Sequence, residues 1–178
     1  MRGEFLDLQG TRLYYYAAGN RGAGEPVLFL HGFATSSRLW SDVVPLMPSG
    51  HRIVVLDQLG YGRSDRPLGR PVDILAHATR VVQVLDELRI ERACIVGHGI
   101  GGGIAQSVAV RHPDRVSRLG LVDTVAFDVW PTLAARMARA SLLLTRFLPP
   151  DVILGVLRRT LCRGYSDAVR ATHSLDLY

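Results

Sequence analysis

The 178-residue chain has no lysine: all 21 of its Lys/Arg residues are arginine. Such a bias reflects coding composition more than a function. Cysteine is also scarce, and Cys94 and Cys162 stand far apart in no metal-ligand spacing. A metal site is therefore not expected, and Cys94, inside an apolar run, reads as a small core residue. The opening Met1 to Asp7 has neither an apolar signal core nor a cleavage site. No apolar run reaches the ~18 residues of a membrane span. A cytoplasmic chain with no membrane partner is the expectation. The net charge of +5 is unevenly spread: up to Asp128, 14 arginines face 13 acids, and from Val129 onward seven face three. No recognised binding motif accompanies this basic tail, so no nucleic-acid partner is expected.

What is present is a substantial apolar fraction, 48%, and 18 glycines, which suit an α/β protein with many tight turns. Phe5 to Gln9 and Arg12 to Ala17 flank Gly10-Thr11 as a hairpin. Val27 to Leu30 reads as a strand buried on both faces and runs into His31-Gly32-Phe33. A helix is expected from about Thr35 to Ser37 as far as Pro45 or Pro48. Arg52 to Leu56 is the next strand, Val72 to Leu88 the next helix, and Val116 to Val122 a later strand. Strands alternating with helices imply a largely parallel sheet covered on both faces. From Trp130-Pro131 the pattern changes to successive helices over Leu133 to Phe147, Asp151 to Leu161 and Asp167 to Leu175.

The most informative stretch is Ala93 to Gln106, a short apolar strand, a glycine-dense turn and an apolar-periodic helix. Two kinds of turn fit it. Gly97-His98-Gly99-Ile100-Gly101 has the frame of a nucleophile elbow, G-x-S-x-G, with Gly99 at the nucleophile position. Gly97, Gly99 and Gly102 also match G-x-G-x-x-G of dinucleotide-binding turns, with Asp123 where a ribose-binding acid would stand.

Three motifs in order decide between them: His31-Gly32-Phe33 after an early strand, Asp57 to Ser64 as D-x-x-G-x-G-x-S, and the Gly97 to Gly102 turn. Together with His112-Pro113-Asp114-Arg115-Val116 they resemble the α/β-hydrolase superfamily over essentially the whole chain. The dinucleotide reading leaves the first two motifs unexplained and remains a remote alternative. The resemblance implies the α/β-hydrolase fold: the N-terminal six strands of a mostly parallel sheet with helices on both faces over residues 1–128. It also implies the start of a helical lid over residues 129–178. Backbone N–H groups of Phe33 and Ile100 would form the oxyanion hole, where one lost donor typically costs about 3 kcal/mol of transition-state stabilisation. Asp123 is the candidate acid, with Asp128 a weaker one. His31, Gly32, His98 and Trp130 would lie at the substrate pocket. No cofactor is implied, and the partner is a small-molecule substrate or ligand.

The sequence departs from the family at two places. Serine or aspartate normally occupies the position of Gly99. The residues after it look most like the dehalogenase and epoxide-hydrolase branch, whereas His31 to Ser37 reads more like an esterase loop. Without a side chain at Gly99, no covalent ester can form there. The family also returns from its lid to two more strands and a general-base histidine. Here the chain is expected to end inside the lid, with His173 a poor substitute. The expectation is a hydrolase of small ester, halide or epoxide substrates by kinship, inactive as this chain alone. A nucleophile-independent lyase or cofactor-free oxygenase, or a small-ligand binding protein, are the alternatives. The Val116 to Val122 strand should be an open edge through which the chain self-associates.

Overall fold

The computed structural model describes residues 3–19, 24–125, 149, 151–152 and 155. The chain divides into two compact units, Met1–Val125 and Ala126–Tyr178, and the elements below belong to the first. The expected lid helices fall outside the described residues, apart from isolated positions.

Six strands form one sheet: β1 (Gly3–Asp7), β2 (Arg12–Ala18), β3 (Val27–Leu30), β4 (Ile53–Leu56), β5 (Ala93–His98) and β6 (Val116–Val122). Their order across the sheet is β1-β2-β4-β3-β5-β6. β1 pairs with β2, and β2 with β4, antiparallel. The remaining pairs are parallel, with Leu30 level with Gly97, and Gly97 with Leu121. The mostly parallel sheet expected from the sequence is therefore present, and β3 and β4 are buried along their whole length. This is why both read as unbroken apolar runs.

Helices α1 (Ile74–Glu87) and α2 (Ile100–Arg111) share one apolar core with Leu28, Leu30, Val54, Leu56 and Ile95. Asp73 starts α1 by accepting the Ala76 N–H at 2.9 Å, so the helix begins two residues later than its periodicity suggests. The opposite face, with Val27, Phe29, Ile53 and Val55, is covered by Trp40 and Val44. There the structure differs from expectation. In place of one helix after Thr35 lie two single 3-10 turns, Ser37–Trp40 and Val44–Leu46. Pro45 explains the break: it lacks the N–H a continuing helix would need, and it sits where a new turn can begin.

The Asp57 to Ser64 motif proves to be a brace. Buried Asp57 accepts the Ser37 N–H at 2.6 Å and the Arg63 N–H at 2.9 Å. Ser64 donates its hydroxyl to the Asp57 carbonyl and accepts the Tyr14 N–H, tying the loop to β2. This bracing fixes the loop that supplies one wall of the candidate site.

Candidate functional site

The site forms where the C-terminal ends of β3, β5 and β6 lie side by side. Gly99 joins β5 to α2 with φ 55° and ψ −119°, a conformation that L side chains rarely adopt. Two residues earlier, Gly97 is needed for a different reason. A Cβ there would run into the backbone of Gly101 and Gly102, because helix and strand nearly touch. At Gly99, by contrast, a Cβ would meet, among the described residues, only the Gly32 α-carbon, at 3.5 Å. The turn is shaped to present a side chain into open space, and glycine presents none.

The loop after β6 clasps this turn. Gly99 donates its N–H to the Val122 carbonyl at 3.1 Å and accepts the Val125 N–H at 3.2 Å. Gln106 in α2 donates its amide to the carbonyls of Gly102 and Val125. Asp123 lies exposed between these contacts with φ 42°. Ala34, just after Phe33, has φ 55°. Two of the four described non-glycine residues with positive φ thus lie in the loops that leave β3 and β6. Held strain of this kind concentrates at functional sites.

His31 is fully buried. Its Nδ1 lies 2.8 Å from the Gly32 carbonyl, and its Nε2 lies 3.1 Å from the Gln58 N–H. The pattern is satisfied by the tautomer that donates from Nδ1 and accepts at Nε2. Gln58 returns a 2.6 Å hydrogen bond to the His31 carbonyl. Burial holds the imidazole below its ordinary pKa, so it stays neutral. With both nitrogens engaged, His31 braces the loop.

His98 turns its Nδ1 over Gly32, and this buried nitrogen has no hydrogen-bond partner among the described residues. Phe33 is 63% exposed and meets Tyr61 edge-on at 6.4 Å. Tyr61 in turn packs edge-on against His31 at 5.3 Å, and burial raises its phenol pKa.

The structure therefore brings His31, Gly32, Phe33, His98, Gly99, Ile100 and Asp123 to one end of the sheet. Trp130, Asp128 and His173 lie outside the described residues. Sequence reasoning did not single out Gln58 and Tyr61. The only signal for them was their place inside a motif whose glycines and acid drew the attention. None of the described His, Cys, Asp and Glu residues group in threes as a metal site would require.

The profile of the alpha/beta hydrolase fold matches residues 25–170. Among curated proteins, a 2-hydroxymuconate semialdehyde hydrolase from Pseudomonas sp. (strain CF600) is 38% identical over 119 residues, which cover 64% of this chain and 42% of that protein. Haloalkane dehalogenase 2 from Mycobacterium bovis is 32% identical over 155 residues, 87% of this chain and 51% of that one. The chain thus spans about half or less of the length of these relatives. A crystal structure of an alpha/beta hydrolase fold protein from Burkholderia ambifaria superposes with a TM-score of 0.80 at 25% identity, covering 88% of this chain and 57% of that one.

Proposed function

The chain belongs to the α/β-hydrolase family, and from that premise we propose that it holds small ester, halide or epoxide compounds at the Gly99 turn without forming a covalent intermediate. The observation that carries this is Gly99 itself. The backbone is bent as for a presented nucleophile, the space in front is open among the described residues, and Gly99 itself offers no side-chain atom capable of attack.

The binding part of the site is in place. Ile100 opens α2, so its N–H has no carbonyl within the helix to bond. No described backbone hydrogen bond uses the Phe33 N–H. These two donors are the oxyanion hole of the reading, and Phe33 and Tyr61 supply an aromatic wall. Asp123 is its acid, held at the mouth by the strained turn after β6. The ligand is a small molecule, with no nucleic acid involved.

The test is a pre-steady-state assay with p-nitrophenyl acetate. We expect no burst of nitrophenolate and a steady rate equal to that of buffer, while small apolar carboxylic acids raise the unfolding temperature. A burst stoichiometric with protein would show a nucleophile elsewhere and overturn the reading. Gly99→Ser is expected to remain without appreciable turnover. A serine needs a base within hydrogen-bond reach, whereas His31 has both nitrogens engaged and His98 directs Nδ1 at Gly32. Rapid hydrolysis by Gly99→Ser would show that only the nucleophile was wanting.

A further inference from the structure

The most unusual surface outside the candidate site is the segment from Arg63 to Arg80, which runs from the braced loop into α1. It carries four arginines against two aspartates. Both aspartates are already committed. Asp65 accepts the Arg12 N–H and pairs with its guanidinium at 3.4 Å, and Asp73 caps α1. The guanidinium groups of the four arginines, by comparison, donate only to neutral oxygens. Arg63 bonds the Tyr14 hydroxyl, Arg66 the Gly62 carbonyl, Arg70 the Gln9 carbonyl and Arg80 the Pro71 carbonyl. Among the described residues none of the four has a carboxylate partner, and the buried Nη1 of Arg80 has no partner at all. Arg80 is destabilised as a cation by partial burial and then by the charge of Arg70, against a smaller opposing pull from Asp73. An arriving anion would relieve that repulsion.

Between these arginines the chain exposes apolar side chains. Leu68 is 100% exposed, Val72 55% and Leu75 50%. Single exposed apolar residues are ordinary, but three within eight positions, framed by guanidinium groups, form a surface with two chemistries at once. A nucleic acid is poorly served here. Residues 63–80 contain no Phe, Tyr or Trp to stack on a base, their one histidine, His77, is buried, and they have no Asn or Gln to read a base. A fully exposed leucine in a turn, two residues from Arg66 and two from Arg70 in sequence, suits a planar phase that is anionic outside and apolar just beneath.

We propose that the Arg63 to Arg80 segment docks this protein on anionic lipid, with Leu68 entering the headgroup layer and the exposed Arg66 and Arg70 meeting lipid phosphates. No helix among the described residues is long and apolar enough to cross a membrane. The contact is therefore peripheral and governed by salt, because charges at a surface are screened over about 10 Å at 0.1 M ionic strength.

The experiment is flotation of the whole chain with vesicles of phosphatidylcholine, with and without phosphatidylglycerol. Binding is expected to the mixed vesicles alone, at low salt. An arginine near an anionic surface contributes about fivefold in partitioning, so the double variant Arg66→Gln, Arg70→Gln should bind about 25-fold more weakly. Leu68→Ser should lose about tenfold through lost apolar contact. All three side chains are exposed, so the variants should keep the unfolding temperature of the parent. Failure of the parent to float with the mixed vesicles would overturn the proposal. So would binding that Leu68→Ser leaves intact, or equal binding to soluble polyglutamate, which would assign the arginines to an acidic protein.

Discussion

Gly97 and Gly99 sit two residues apart in the same turn and are glycine for opposite reasons. Gly97 has ordinary backbone but no room: a Cβ would overlap the backbone of Gly101 and Gly102, which cannot swing aside. Gly99 has room but a φ of 55°. Gly97→Ala should therefore lower the unfolding free energy by about 3 kcal/mol or more, as overpacking against fixed backbone does. Gly99→Ala should lose only about 1–2 kcal/mol of backbone strain. Urea unfolding of the two variants checks the order. A Gly99→Ala protein less stable than Gly97→Ala would mean that the space in front of Gly99 is not open. The same contrast explains what the sequence could reveal of the site. The glycine spacing showed a tight strand-to-helix turn, and the three ordered motifs placed it in a family. The strain at Ala34 had no sequence signal, and Asp123 had only the weak one that aspartate tolerates a positive φ better than most residues. The bracing of His31 by Gln58 was hidden likewise, since it joins residues 27 apart in sequence.

Among the elements, α1 carries the clearest pH sensor. His77 faces the core beside Ala78, Val81, Val84 and Leu85. Burial, reinforced by the charge of Arg80 against the opposing pull of Asp73, lowers its pKa from 6.5 to about 4. An unfolded chain takes up this proton near 6.5, and the folded one only near 4, so acidification through that interval favours unfolding. The contribution is complete above 6.5 and is lost progressively toward 4, amounting to about 3 kcal/mol in all. His31, also lowered by burial, adds to the fall with the same sign. His77→Gln should flatten this part of the stability profile measured by unfolding at a series of pH values. An unchanged slope would place the acid sensitivity elsewhere. Elements of this kind were largely legible. Val27 to Leu30 and Val116 to Val122 appear as strands with the bounds their apolar runs suggested. The segment after Thr35 was not legible as two turns, because capping serines and a following proline look alike whether they bound one short helix or two single turns. α2 begins at Ile100, four residues before its apolar periodicity starts, because Gly101, Gly102 and Gly103 carry no pattern to read.

At the scale of the molecule, the two outer strands of the sheet are protected unequally. β1 carries charge along its length, with Glu4 bonded to the Tyr15 hydroxyl and the Arg12 guanidinium lying over the Phe5 ring. Charge of this sort discourages pairing with another chain. β6 pairs with β5 on one side, and no described strand pairs with it on the other. It exposes Leu119, Leu121 and Val122, and among the described residues its one ion pair joins Arg118 to Glu25. An apolar strand with an open side is a template for a second strand, and a second copy of this chain offers the same edge, so a two-fold antiparallel pairing of β6 with β6 is geometrically simple. The protein is accordingly expected to show concentration-dependent association in sedimentation velocity. Leu121→Lys should suppress it by placing like charges near each other across the symmetric junction. Phe5→Lys, on the edge already guarded, should leave it unchanged. Association that survives Leu121→Lys but yields to Phe5→Lys would assign the junction to β1 and show that its charges do not protect it.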